Sequence, residues 1–249
     1  MLVGFLGCGV RGILPSRDNL RSKVNGEGHA NGDFFLSFAL SRLYVILDAA
    51  LIREPATEIA RQLMDAGVRL LQYRAKTAPA RETLDVAKQL AELAHKQGAT
   101  FFVNDRPDLA YLAGADGVHV GQDDLSVEQA RAIIGPDRWV GVSTHNREQF
   151  QRAAATLADY IAIGPIFSTT SKANPDPVVG TELLRELRPL TTKPIVAIGG
   201  IRLERAVEVI EAGADSVAVI SDIIAAPNPP QQARKFIERL NAARPAANH

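Results

Sequence analysis

The chain has 249 residues, 28 Lys and Arg against 28 Asp and Glu, a formal net charge of zero and a single cysteine. That balance excludes a polybasic binder of nucleic acid or anionic membrane, and the lone Cys8 excludes a disulfide framework and a Cys-rich zinc site while fitting a reducing, cytoplasmic setting. No stretch reaches the roughly 18 apolar residues of a membrane span, and the apolar start from Met1 to Val10 has no basic residue ahead of it, as a secretory signal would.

Taken in chain order, the first segment stands apart. From Pro15 to Asp33 the sequence is polar, rich in glycine and asparagine, and without helical or strand period, so residues 1–40 are expected to form a flexible extension. Just before that run, Gly7-Cys8-Gly9-Val10-Arg11-Gly12 spells a dinucleotide fingerprint. The motif needs a helix opening at its end, and Pro15 with a polar coil follows instead, so no dinucleotide site is expected.

From Ser41 onward, short apolar runs alternate with segments of helical spacing. The runs Leu43–Leu47, Leu70–Tyr73, Thr100–Val103, Gly117–Val120, Trp139–Val142, Tyr160–Ile163, Ile195–Ile198 and Ser216–Ile220 suit buried parallel strands. Helical spacing marks Ala56–Met64, Leu84–Ala94, Asp108–Ala113 (the weakest), Val127–Ile134, Glu148–Leu157, Glu182–Leu187, Leu203–Ala212 and Pro230–Ala242. Eight strands and eight helices in alternation predict an α/β fold, a single (β/α)8 TIM barrel over residues 41–243, with a short tail at 244–249. A doubly wound open sheet is the second reading, and it would leave the strand count high.

Barrels of this kind carry their sites where strands pass into the loops that follow. Gln72, Arg74 and Lys76 share one face of the second strand end, where two cations call for an anionic partner. The plainer reading is a salt-bridged strand end. After the third and fourth strands come Asn104-Asp105 and Gln122-Asp123-Asp124. Asp105 and Asp124 together suit Mg2+ on a phosphate, which takes one or two carboxylates and leaves the rest to substrate and water. Against this, Asp105 could serve a turn before Pro107, and Asp123 or Asp124 could cap the helix at Val127; Asp123 is expected to cap in either case.

The fifth strand ends in Gly141-Val142-Ser143-Thr144-His145. The sixth leads into Ser168-Thr169-Thr170-Ser171-Lys172, whose hydroxyls and terminal cation suit a phosphate-gripping loop or, equally, a solvated one. Gly199-Gly200 after the seventh strand and Ile220-Ser221 after the eighth offer backbone amides for a second phosphate. His119 and His145 lack metal-pair spacing and read as hydrogen-bonding spectators, and Tyr73 and Phe167 could flank a flat heterocycle or pack in the core.

Six motifs, Gln72-Tyr-Arg-Ala-Lys76, Asn104-Asp105-Arg106, His119-Val-Gly-Gln-Asp-Asp124, Gly141-Val-Ser-Thr-His145, Gly164-Pro-Ile-Phe-Ser-Thr-Thr-Ser-Lys172 and Ala197-Ile-Gly-Gly-Ile201, resemble the thiamine-phosphate synthase family in order and spacing, from about Arg42 to Leu240. The resemblance implies a transferase that joins hydroxymethylpyrimidine diphosphate to hydroxyethylthiazole phosphate, by loss of diphosphate and capture of the pyrimidine cation by the thiazole nitrogen. It implies Mg2+ on Asp105 and Asp124, catalytic roles for Arg74, Lys76, Ser143 and Lys172, and a pyrimidine diphosphate site that includes Gln72, Tyr73, Ala75 and Asn104. Thr169, Thr170, Ser171, Gly200, Ile220 and Ser221 would hold the thiazole phosphate. Its partners would be two phosphorylated small molecules, with no nucleic acid or membrane and with self-association left open. Two positions depart from the family pattern: Ala75 stands where an acidic residue is usual, and Ser171 where a threonine is. The rival readings are a thiazole tautomerase relative, a phosphosugar epimerase or aldolase, and a non-catalytic sensor of thiazole or thiamine phosphate. Each has less use for two carboxylates beside three cations.

Overall fold

Eight parallel strands close on themselves in sequence order in the computed structural model, which describes residues 40–169 and 176–243. They are β1 (Leu43–Asp48), β2 (Leu70–Arg74), β3 (Thr100–Asn104), β4 (Gly117–Val120), β5 (Trp139–Thr144), β6 (Tyr160–Ile163), β7 (Ile195–Ile198) and β8 (Ser216–Val219). Each begins where the sequence predicts. β1 pairs with both β2 and β8, which shuts the barrel. The helices outside it are α1 (Ala56–Asp65), α2 (Ala80–Lys96), α3 (Pro107–Ala113), α4 (Val127–Ile134), α5 (Arg147–Ala154), α6 (Gly180–Leu187), α7 (Ala206–Glu211), α8 (Ser221–Ile224) and α9 (Pro229–Ala242). The one-turn α8 was not expected; the last strand stops at Val219, one residue early, and the chain turns helical at Ser221. Apart from Leu40, the expected extension over residues 1–40 and the tail at 244–249 lie outside the described residues. Among the described residues, no helix is long and apolar enough to cross a membrane.

Strand alternation divides the core into two layers. In β2, Leu71 and Tyr73 pack outward against the helices, while Leu70 joins the barrel interior. The helices meet the outer layer with one apolar stripe each: α1 buries Ile59, Ala60, Leu63 and Met64, positions that recur at helical spacing. Inside the barrel lie Tyr44, Ile46, Leu70, Phe102, Tyr160, Ala162, Val196 and Ala218. Three of these are aromatic and meet edge to face or tilted; the Phe102 and Tyr160 rings lie 5.6 Å apart at 83°.

Two strand glycines make that filling possible. A Cβ on Gly141 would sit 2.0 Å from the Tyr160 ring, and one on Gly117 would sit 2.4 Å from the Phe102 ring. Both rings therefore occupy space that a side chain on the neighbouring strand would need. Overpacking of this kind costs ~1–3 kcal/mol. Gly141→Ala should accordingly lower the melting temperature by about 5 °C or more, read by calorimetry, and an unchanged melting temperature would contradict this packing.

Candidate active site

The inward-facing alternation that fills the barrel continues to its carboxyl end, where the residues turn polar. Gln72, Arg74, Lys76, Asn104, Asp105, Asp124 and Ser143 all line one cavity of about 640 Å³. A second cavity of about 380 Å³ opens beside it, lined by Thr169, Gly200, Ile220 and Ser221 among others. Ser143, His145, Asp176, Ile198, Ala218 and Ile220 border both, so the two are lobes of one cleft. Thr170, Ser171 and Lys172 lie outside the described residues. Tyr73 and Ala75 border neither lobe. Their side chains alternate to the outer face of β2 and pack toward the helices, so a direct side-chain contact with a ligand in the cleft does not follow from their position.

The charges in the larger lobe are arranged differently from the simple picture of cations awaiting an anion. Arg74 forms an ion pair with Asp48, the last residue of β1, whose side chain is 6% exposed. A charge this buried needs a partner, and β1 supplies it through the same alternation that places Tyr44 and Ile46 inward. Lys76 is more open and approaches Asp105 at 3.7 Å. Asp105 itself has φ of 61°, in the left-handed region that Asp and Asn enter more readily than other side chains. Its backbone N–H donates to the His119 carbonyl at 2.7 Å, which fixes that geometry.

The helix cap is also elsewhere. Ser126 caps α4, in a reciprocal arrangement with Gln129, and neither Asp123 nor Asp124 does so. Asp124 instead accepts from the Gly121 N–H at 2.8 Å and is drawn back over the lobe, where its carboxyl meets that of Asp105. Burial and the hydrogen bond and charge of Asp124 push Asp105 up to about 6, against the opposing pull of Lys76 and Arg74. Two carboxyls brought this close are a seat a divalent cation can take. Among the described residues no group of three His, Cys, Asp or Glu forms a closed metal cage. Two carboxylates open to a cavity nonetheless fit Mg2+, which keeps most of its ligands as water and substrate phosphate.

Below the cleft, a chain of buried polar side chains crosses the barrel, and sequence reading missed it. The Asn104 Oδ1 accepts from Gln72 Nε2 at 2.7 Å, and Gln72 Oε1 accepts from the Tyr44 hydroxyl at 2.7 Å. The Tyr44 and Tyr160 hydroxyls are 3.2 Å apart. His119 lies between Tyr160 and Ser143, with Nδ1 and Nε2 each 2.8 Å from a hydroxyl. His119 is thus a bridge within the site. The signal was present in the alternation, since Tyr44, Tyr160 and His119 are inward residues of β1, β6 and β4, but their contacts span up to 116 residues and no local pattern reveals them. His145 donates from Nδ1 to the Gly164 carbonyl at 2.6 Å.

In the smaller lobe, Gly200 has φ of +64°, and a Cβ there would lie 2.4 Å from the Ser168 carbonyl oxygen. Only glycine lets the loop after β7 close this tightly on the loop after β6. Arg202, which sequence reading did not single out, also lines this lobe.

The sequence profile of the thiamine monophosphate synthase family matches residues 43–223. The chain belongs to that family. It is 52% identical over 208 residues to the thiamine-phosphate synthase of Koribacter versatilis, covering 82% of this chain and 97% of the relative. The thiamine-phosphate synthase of Chlorobium phaeovibrioides is 43% identical over 198 residues, 80% of this chain and 93% of that protein. A solved structure of thiamine phosphate pyrophosphorylase from Pyrococcus furiosus superposes with a TM-score of 0.74 at 35% identity, over 80% of this chain and 95% of its own.

The raised carboxyl gives a stability signature. Because Asp105 binds its proton more tightly folded than unfolded, its own contribution to the stability of the metal-free protein should fall as pH rises from about 4 to about 6, and level off above. Asp105→Asn removes that loss and keeps a residue tolerant of positive φ. After allowance for solvent screening the gain is about 1 kcal/mol, or about 2–4 °C in melting temperature. It should be present at pH 7.5 without metal and absent at pH 4; a lower melting temperature at pH 7.5 would show that the carboxyls do not oppose one another.

Proposed function

We propose that this chain is a thiamine-phosphate synthase, a transferase that joins an aminopyrimidine methyl diphosphate to a thiazole ethyl phosphate and releases diphosphate. The observation that carries the reading is the two-lobed cleft: two compartments share Ser143, His145, Asp176, Ile198, Ala218 and Ile220. A cleft so divided suits two phosphorylated substrates whose uncharged rings meet in the middle.

In this reading the larger lobe takes the pyrimidine diphosphate. Gln72, Asn104 and Ser143 contact the ring, and Lys76, with Arg74 behind it, faces the diphosphate. Lys172 would add a further cation from the loop after β6. Asp105 and Asp124 would hold Mg2+, which when bound neutralises charge on the diphosphate. The smaller lobe takes the thiazole phosphate on Thr169, Gly200, Ile220 and Ser221; that Thr170 and Ser171 would join them is implied by the family resemblance alone. Tyr73 and Ala75 enter only as the strand that presents their neighbours. The absence of an acidic side chain at Ala75 then costs a support contact on the helix side.

The reaction breaks one C–O bond and forms one C–N bond. The electron pair leaves with the diphosphate, and the thiazole nitrogen supplies the pair for the new bond. No proton must move, so no general base is required. The chain's own task is to hold the two rings in line, keep water from the pyrimidine cation, and oppose the growing negative charge with fixed cations. Lys76 is well placed for the last, since it is half exposed and free to shift from Asp105 toward a bound anion. A thiazole tautomerase has no diphosphate to neutralise and would gain nothing from Asp105, Asp124 and Lys76. We infer a cytoplasmic enzyme with these two small molecules as its partners.

Purified protein given both substrates and Mg2+ should yield thiamine phosphate, followed as its fluorescent oxidation product. No product from folded protein would falsify the proposal. Asp124→Ala should reduce turnover at least about 100-fold, with a melting temperature within a few degrees of the parent. Normal turnover in that variant would remove the metal assignment.

A further inference from the structure

The buried chain Asn104–Gln72–Tyr44–Tyr160–His119–Ser143 draws one residue from each of β3, β2, β1, β6, β4 and β5. Each link needs one hydrogen, and a hydroxyl has only one to give. Tyr44 donates its hydrogen to Gln72 Oε1. The hydrogen between the two tyrosines must therefore come from Tyr160. Tyr160 has then none left for His119, so the hydrogen in that contact sits on Nδ1. In the neutral ring Nε2 is bare, and the hydrogen in the last link belongs to Ser143. At the other end Gln72 spends its amide N–H on Asn104 Oδ1, which leaves the Asn104 NH2 for the cleft.

The polarity runs one way from end to end. Reversing it would turn every link together: His119 would carry its hydrogen on Nε2, Ser143 would offer a hydrogen to the cleft, and Asn104 would offer a carbonyl. Any mixed arrangement leaves two lone pairs or two hydrogens face to face in a buried site, which is costly. Burial holds both phenols far above the ordinary tyrosine range, so both keep their hydrogens.

We propose that Tyr44, Tyr160 and His119 are positioning residues whose one-way relay makes Asn104 a hydrogen-bond donor and Ser143 a hydrogen-bond acceptor at the floor of the larger lobe. The two ends stand on β3 and β5, on either side of β4, roughly 10 Å apart at the usual strand spacing. A ligand matched to them offers an acceptor to one side and a donor to the other. An aminopyrimidine has both, in its ring nitrogens and its amino group. This assignment rests on the proposed function for the identity of the ligand, but the relay itself does not.

The test is nitrogen NMR on protein labelled with 15N-histidine, with the His119 signals assigned by their loss in His119→Gln. Wild-type His119 should be neutral at pH 8 with its hydrogen on Nδ1; a hydrogen on Nε2 overturns the relay. Tyr44→Phe touches neither ring nitrogen, yet it frees the Tyr160 hydrogen and should convert His119 to a mixture of the two forms. An unchanged spectrum in that variant also overturns it. Tyr160→Phe should raise the KM for the pyrimidine diphosphate about tenfold, leave the KM for the thiazole phosphate within about twofold, and melt within a few degrees of wild type. Equal rises in both KM values would mean a general structural role and refute the positioning claim. If the wild-type protein makes no thiamine phosphate, the functional reading falls while the NMR result still decides the relay.

Discussion

Closing eight parallel strands into a barrel gives each strand only two or three inward positions, and the same positions must fill the interior and furnish the site. That shortage governs the molecule. Lower inward positions are apolar and pack as the plug of Tyr44, Phe102, Tyr160 and their neighbours. Upper ones are polar and line the cleft. Tyr44 and Tyr160 belong to both layers, since their rings pack in the plug while their hydroxyls join Gln72 and His119. Site and core are therefore not separable here. Gly141, which makes room for the Tyr160 ring, helps determine where that hydroxyl stands, and through it the setting of His119.

The same shortage explains how charge is handled. The zero net charge of the chain conceals a cleft with opposed groups at close range. Arg74 is neutralised from within by Asp48, which makes it a fixed part of the wall. Lys76 and the Asp105–Asp124 pair are left less fully matched, with Asp105 held up near 6 by burial and by its neighbour. An incompletely balanced set of charges is what a site needs if a metal and a diphosphate are to complete it.

Much of the architecture was legible because it is periodic. Strand positions, the closed parallel order and the inward set of Gln72, Arg74 and Lys76 follow from alternation along short apolar runs. Pairings across the barrel were not legible. Asp48 could be placed inward, but nothing local names Arg74 as its partner, 26 residues away. The cap of α4 was misplaced on Asp123 because Asp, Asp and Ser stand close together before Val127; the capping box with Gln129 decides for Ser126, and that frees Asp124 to fold back. His119 read as a spectator because metal spacing was the feature sought. Its role depends on Tyr160 and Ser143, which meet it only once the barrel closes.

The most direct measurement is a crystal structure of the protein with Mg2+, thiamine phosphate and diphosphate. The account predicts metal and diphosphate in the larger lobe against Asp105, Asp124 and Lys76, and the phosphate of thiamine phosphate in the smaller lobe against Gly200 and Ser221. Both anions in one lobe, or the two exchanged, would contradict it.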